Sequence, residues 1–264
     1  MSPADQHVRA LAKLLEQATG RHHMHRVFAD FVEMGALAIA NGIDLRQREE
    51  REARYLQLVK GYDKRELQAL THAFGELVMA LETGGPADVL GQVFGMLDQG
   101  NAARGQFFTP YELCRLMARM TLNDDEVRER IAERGFITMQ EPSVGAGAQI
   151  IALAEALQER GINYQEHLHV TCVDVDSRAV HMAFLQLSLL HVPALVILGN
   201  TLTLEEREHW YTPAHIMGLW DNRLRRGYAL GSRMDVDSTP ALAPEALQLP
   251  PAGELQLDLF GAAA

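Results

Sequence analysis

The feature that most constrains the fold of this chain is a glycine-bearing segment, EPSVGAG at residues 141–147, between a predicted strand and a predicted helix. Gly145 and Gly147 have no Cβ atom, so the chain can turn sharply there and a ligand can approach the backbone N–H groups at the helix start. A tight turn without a ligand would explain two such glycines equally well. The segment therefore predicts a strand–turn–helix unit, and the residues around it must decide its role.

Beyond residue 100 the sequence alternates short β-prone runs with helical patterns. This alternation is typical of βαβ units that build a parallel sheet. The predicted strands are residues 136–140, 169–173 and 195–198, with helices at about 148–160 and 177–191.

The residue pattern differs before and after this region. Residues 1–100 are predicted to form a helical domain, because apolar side chains recur every three or four residues. Residues 101–230 would form the sheet domain. Residues 231–264 include four prolines within 16 positions and no periodicity, which predicts a flexible tail. The predicted fold class is therefore α/β, with a helical amino-terminal domain, a parallel sheet and a flexible carboxyl-terminal tail.

Composition excludes several classes of protein. Apolar residues make up 47% of the 264 residues and charged residues 22%, which is ordinary for a globular chain. No run approaches the roughly 18 apolar residues that a membrane span needs, and the first residues are too charged for a signal-peptide core. We therefore expect a cytoplasmic protein that contacts no membrane.

Charge and cysteine usage limit the partners. The formal net charge is 24 minus 35, or −11, which argues against binding nucleic acid by bulk electrostatics. Any contact with DNA must come from a local basic patch or from a partner subunit.

Cys114 and Cys172 have no disulfide or metal-ligand spacing, so we expect buried free thiols and no metal site.

Polar side chains follow the second and third predicted strands. Asp174 ends the second strand, 33 positions after Glu141, and Asn200 follows the third. Because the carboxyl ends of parallel strands meet at one edge of a sheet, a carboxylate there can accept hydrogen bonds from a ribose. The amide of Asn200 could pair with an adenine edge, although a turn asparagine needs no such role. Asp176 could contact the ligand, but a solvated neighbour or a helix N-cap explains it at least as well.

A helix start lies upstream of the sheet. Residues 109–112, TPYE, fit a capping box with proline at the first helical position, and the apolar residues after it form one stripe that packing would explain. The members of the stripe are Leu113, Leu116, Met117 and Met120. Packing does not explain residues 105–108, GQFF, a polar and aromatic run that suits a loop facing a ligand.

Four segments in this order resemble one protein family: GQFFTP, EPSVGAG, VDVD and GNTL. They are similar to segments of the modification subunit of type I restriction systems and of related adenine-N6 DNA methyltransferases, over about residues 20–202. The resemblance implies a Rossmann-like sheet that binds S-adenosylmethionine. By position, the cofactor residues would be Phe107, Phe108 and Thr109 at the methionine end, Glu141, Gly145 and Gly147 in the turn, Asp174 at the ribose and Asn200 at the adenine.

The chain departs from this family at three points. The family usually has Asp where Asn200 and Glu141 stand. It also carries an Asn/Asp-Pro-Pro-Tyr/Phe loop after its fourth strand, which binds the target amine and stacks on the flipped base. The only Pro-Pro pair here is Pro250-Pro251 in the tail, and residues 201–231 lack an apolar strand to deliver such a loop. The sheet is therefore predicted to be truncated. The catalytic residue stays unknown, and residues 211–213, YTP, are a candidate for a diverged substitute of the loop, with Tyr211 or Trp210 as the stacking ring.

Two further segments suggest partners. Arg223, Arg225 and Arg226 form a dense positive cluster that could contact DNA phosphates or simply be a solvated surface. The tail segment QLDLF resembles the pentapeptide with which bacterial polymerases and repair proteins dock on the DNA sliding clamp. Its docking residues would be Gln256, Leu257, Leu259 and Phe260, at the end of a tether that lets them reach a pocket. Alternatively, they pack back onto the folded domain.

Two functions from different classes follow. The first is S-adenosylmethionine-dependent methylation of adenine N6 in DNA, with the acceptor loop replaced or supplied by a partner. The second is a catalytically silent adaptor or regulator that retains the cofactor fold, associates with DNA and docks on the clamp. The sequence leaves the oligomeric state open.

Overall fold

The computed structural model describes residues 2–98 and 109–238, and its first part is helical, as predicted. Two of its helices begin with a capping box, in which the capping side chain and a side chain three residues later bond each other's backbone N–H: Ser2 with Asp5, and Asp63 with Glu66. The helices are α1 (Pro3–Gln17), α2 (Met24–Ile43), α3 (Arg48–Val59), α4 (Lys64–Gly84) and α5 (Val89–Asp98), with a short 3-10 helix at Leu45–Gln47.

The second part holds the sheet. Its four strands are β1 (Ile137–Glu141), β2 (Leu168–Asp174), β3 (Ala194–Asn200) and β4 (Glu205–Tyr211). The helices are α6 (Tyr111–Thr121), α7 (Asp124–Arg134), α8 (Ala148–Glu159), α9 (Tyr164–His167), α10 (Ser177–Leu189), α11 (Pro213–Met217), α12 (Trp220–Arg226) and α13 (Arg233–Ser238).

The strand order is β1-β2-β3-β4, and the first three strands are parallel. The helices α8 and α10 connect them, so the unit is a Rossmann-like βαβαβ arrangement and the predicted α/β fold class is confirmed. Glu141 is in register with Cys172, and Asp174 with Leu198. The carboxyl ends of the three strands therefore lie at one edge of the sheet.

The strand β4 corrects the expectation that the sheet ends after three strands. It pairs antiparallel with β3, so the sheet is mixed rather than wholly parallel. Its sequence, EEREHWY, is mostly exposed, and only Trp210 is fully buried, which is why apolar patterning did not predict it. A register shift falls between Leu198 and Gly199, where a Cβ atom would collide with the carbonyl oxygen of Glu205.

One buried apolar cluster spans both parts of the chain. It includes Phe28 and Leu37 of α2 together with Phe184 and Leu185 of α10. A Cβ atom at Gly35 would lie 3.0 Å from a methyl of Leu185, so glycine permits the close approach of α2 to α10. The helical part is therefore packed directly against the helices of the sheet. Among the described residues, no helix combines the length and apolar character needed to cross a membrane.

The start of α6 differs from the prediction. Pro110 itself is the N-cap residue, and no side chain caps the helix, so the expected capping box does not form. The stripe of Leu113, Leu116, Met117 and Met120 is exposed, between 45% and 77%, rather than packed. The face that α6 buries consists of smaller side chains, Cys114 and Ala118, because it lies against the alanines of α8.

Buried histidines make stability depend on pH. Burial lowers the pKa of His181 to about 4 and that of His169 to about 3, and it also lowers the pKa of His215. As the pH falls, these histidines bind a proton near pH 6.5 in the unfolded chain but only at lower pH in the folded chain. The stability that the neutral histidines contribute is therefore present above pH 6.5 and is lost as the pH falls toward 4.

We expect the free energy of unfolding to fall by about 1 kcal/mol for each of His169 and His181 between pH 7.5 and 5.5. Urea titrations at the two pH values would measure this loss. The variant His181→Gln should lose correspondingly less than the wild type. An equal pH dependence in both proteins would contradict the prediction.

Candidate cofactor site

The glycine turn is fixed by hydrogen bonds to the neighbouring strand. The backbone N–H of Gly145 donates to Oδ2 of Asp174 at 2.9 Å, and that of Val144 donates to the carbonyl oxygen of Val173 at 2.9 Å. Gly145 has a positive φ of 55°, a conformation that glycine adopts without strain. The turn after β1 is therefore held against the end of β2, as the shared strand edge predicts.

Asp174 is oriented by two backbone donors. Its Oδ2 accepts from Gly145, and its Oδ1 accepts from the N–H of Asp176 at 3.0 Å. Asp176 in turn caps α10 through the N–H of Arg178 at 2.9 Å, which is one of the alternatives that the sequence left open. Each carboxylate oxygen of Asp174 keeps capacity for a further hydrogen bond.

An open cleft of about 420 Å³ lies above this turn. Four of the predicted cofactor residues line it together: Thr109, Glu141, Gly145 and Asp174. Sequence reasoning missed other lining side chains, among them Cys114, Met117, Ser143 and Gln149. The position of Cys114 one helical turn after the TP motif, and of Met117 two turns after it, was the available signal, because a helix that starts at a cleft presents its first turns to it.

Other predicted cofactor residues lie elsewhere. Gly147 is the N-cap of α8, with φ 97°, and its Cβ position is 3.6 Å from Cα of Ala183, so it permits close helix packing rather than lining the cleft. Asn200 also does not line the cleft, and its side-chain oxygen accepts from the N–H of Leu202 at 3.0 Å. Phe107 and Phe108 lie outside the described residues.

The cleft is acidic. Its described lining contains the carboxylates of Glu141 and Asp174 and no Lys, Arg or His side chain. One oxygen of Glu141 accepts from the N–H of Ser143 at 3.1 Å. Burial raises the pKa of the Cys114 thiol, so this side chain lines the cleft as an uncharged thiol and is not a thiolate nucleophile. The chemistry of the cleft favours a ligand that carries positive charge and hydroxyl donors.

A buried polar cluster around Gln186 also holds the glycine turn in place. Gln186 of α10 donates to the carbonyl oxygen of Ala146 at 2.7 Å and to Asp88 at 3.0 Å, and it accepts from the N–H of Leu90 at 2.9 Å. Burial raises the pKa of Asp88. Gln186 thus ties the glycine turn to the start of α5, a link that no sequence pattern indicated.

The remaining predicted site residues lie away from the cleft. Tyr211 ends β4 beside Leu195 near the start of β3, with its ring 5.0 Å from His215, so its position does not support stacking on a base held at the cleft. Arg223 lies over the ring of Trp220 at 4.7 Å, whereas Arg225 and Arg226 are exposed at the end of α12. The tail residues Gln256, Leu257, Leu259 and Phe260 lie outside the described residues.

No family model and no curated protein matches the sequence. The chain is similar to a candidate class I S-adenosylmethionine-dependent methyltransferase from Listeria monocytogenes, with 12% identity and a TM-score of 0.41 over 86% of this chain and 72% of that one.

Two further solved structures are similar over part of their length. One is the methyltransferase subunit of a type I restriction-modification system from Streptococcus thermophilus, with 19% identity and a TM-score of 0.36 over 66% of this chain and 39% of that one. The other is a DrdV–DNA complex, with 15% identity and a TM-score of 0.35 over 85% of this chain and 28% of that one. The chain spans less than half of these two proteins, and similarities this weak establish no family for it.

Proposed function

We propose that the acidic cleft binds S-adenosylmethionine and that the chain acts in methylation of adenine N6 in DNA. The observation that carries the proposal is the meeting of Glu141, Gly145 and Asp174 in one cleft, with Asp174 bonded to the glycine turn at 2.9 Å. Carboxylates at the ends of neighbouring parallel strands are suited to the hydroxyls of a nucleoside.

The charge of the cleft favours this cofactor over other nucleotides. S-adenosylmethionine carries a positive sulfonium and a positive ammonium group against one carboxylate, so it is a net cation, whereas dinucleotides and nucleoside triphosphates carry negative phosphates. Two carboxylates without a neighbouring cationic side chain in the described lining would repel phosphates. They attract the positive groups of S-adenosylmethionine.

The residues present fit the cofactor. Asp174, already oriented by two N–H groups, would accept hydrogen bonds from the ribose hydroxyls. Glu141 and Thr109 line the same cleft and would contact the rest of the ligand. When bound, the cofactor supplies a methyl group activated by its sulfonium sulfur. Cofactor roles for Gly147, Asn200, Phe107 and Phe108 remain predictions.

The DNA substrate follows from the resemblance to modification subunits. The exposed guanidinium groups of Arg225 and Arg226 are candidates for phosphate contacts, although the chain carries a net charge of −11. Productive binding of DNA would therefore depend on a partner subunit. The partner would also supply the acceptor loop that residues 201–231 lack.

A second candidate function is a DNA-associated adaptor that binds the cofactor without transferring its methyl group. The observation that favours it is the packing of Tyr211 against His215 and Arg46, which leaves no stacking ring at the cleft within the described residues. In this case the tail residues Gln256, Leu257, Leu259 and Phe260 would dock the protein on the sliding clamp.

Calorimetry would test the cofactor proposal. We expect saturable heat with S-adenosylmethionine and none with NAD⁺ or ATP at the same concentrations. Absence of binding at millimolar S-adenosylmethionine would reject the proposal.

Transfer of a tritiated methyl group to DNA, measured with and without candidate partner subunits, then separates the enzyme from the adaptor. Loss of clamp binding in a Leu259→Ala, Phe260→Ala double variant would support docking by the tail.

A further inference from the structure

The helix α6 turns its large apolar side chains toward solvent. Its four exposed members, Leu113, Leu116, Met117 and Met120, are here called the α6 stripe. They are spaced i, i+3, i+4 and i+7, so they form one continuous face of the helix. An exposed row of four large apolar side chains, opposite a buried face of small ones, is typical of an interaction surface.

The two edges of the sheet are protected differently. The edge strand β4 begins with four charged residues, Glu205–Glu208, which discourage pairing with another chain. The edge strand β1 has no charge or proline between Ile137 and Gln140, and within the described residues it pairs with β2 alone. The helix α6 packs on α8, the helix that follows β1.

Charged residues on the flank of the α6 stripe indicate its partner. Glu112 and Arg119 are two turns apart on one side of the helix, and their side chains are 81% and 45% exposed. A twofold axis across the centre of the stripe turns a second α6 antiparallel to the first. Leu113 then lies opposite Met120, and Glu112 lies opposite Thr121 of the second copy, about 3 Å along the helix from Arg119 on the same flank.

We propose that the α6 stripe is the interface of a homodimer, in which α6 packs antiparallel against α6 of a second copy of this chain. Leu116 and Met117 lie nearest the axis. Met117 also lines the acidic cleft, so the second copy lies beside the cofactor site. The dimer requires no ligand, and its test is therefore independent of the proposed function.

Sedimentation velocity of the full chain, over a range of concentrations, tests the dimer. We expect a species of twice the chain mass of 29.3 kDa. The double variant Leu116→Glu, Met120→Glu should be monomeric with an unchanged circular dichroism spectrum. The control Leu45→Glu, at an apolar residue 67% exposed on the 3-10 helix, should remain dimeric. A monomeric wild type, or a double variant that still forms dimers, would overturn the proposal.

Charge exchange tests the antiparallel arrangement. The variants Glu112→Arg and Arg119→Glu each place like charges next to one another across the interface of a homodimer, so each should dimerise about tenfold more weakly. Mixing the two variants restores both opposite-charge pairs, and the heterodimer should form with wild-type affinity. Melting temperatures check that each variant is folded, because Arg119 also bonds Glu159 at 2.6 Å. A mixture as weak as the separate variants would rule out this arrangement.

Discussion

Replacing Asp174 with alanine is expected to weaken binding of S-adenosylmethionine by about 100-fold. The carboxylate would lose hydrogen bonds to the ribose hydroxyls, each worth about 1.5–3 kcal/mol when the acceptor is charged. It would also lose its bond to the N–H of Gly145, which holds the glycine turn at the end of β2. Isothermal titration calorimetry of the wild type and the variant measures both affinities.

Two further variants separate charge from position in this experiment. Asp174→Asn keeps an oxygen that can accept from Gly145, so it should lose only about tenfold in affinity. Asp176→Ala removes the cap of α10 two residues away but no lining side chain of the cleft. It should lower stability by about 1 kcal/mol and leave affinity unchanged. Equal affinity in the wild type and Asp174→Ala would refute the assignment of Asp174.

The sheet and the site were predictable where local rules decide the structure. Three strands and the helices between them follow from the change of periodicity after residue 100, and their bounds agree with the prediction to within about two residues. The meeting of Glu141, Gly145 and Asp174 follows from parallel strands alone, since parallel strands bring their carboxyl ends together.

Features decided by long-range packing could not be predicted. The strand β4 is polar because it is an edge, and its pairing with β3 depends on a bulge that only glycine at residue 199 allows. The exposure of the α6 stripe could not be predicted from the sequence either. Four apolar residues at helical spacing predict a buried face, but α6 instead buries Cys114 and Ala118 against the alanines of α8.

The role of Gln186 is also decided by long-range packing and could not be predicted. A glutamine within a helix is typical of a solvated face. It is fully buried, and its partners Asp88 and Leu90 lie almost 100 positions earlier in the chain. Its signal is the interruption of an otherwise apolar run in α10 by one uncharged polar residue. Such a residue requires buried partners, which the sequence does not identify.

We expect Gln186→Leu to lower the free energy of unfolding by about 3–5 kcal/mol. The substitution leaves the carbonyl oxygen of Ala146, the N–H of Leu90 and the buried carboxyl of Asp88 without their partner. The melting temperature should fall by about 10 °C for a chain of this size. Because Ala146 belongs to the glycine turn, affinity for S-adenosylmethionine should also fall severalfold, even at a temperature where the variant is folded.

A second buried hydrogen bond provides the control that separates stability from positioning. The hydroxyl of Tyr62 donates to Asp30 at 2.7 Å inside the helical part, with no contact to the glycine turn. Tyr62→Phe should cost about 1.5–3 kcal/mol of stability and leave cofactor affinity unchanged. If both variants lose affinity in proportion to their loss of stability, Gln186 serves only the core. If Gln186→Leu alone loses affinity, the helical part of the chain positions the cofactor turn through this side chain.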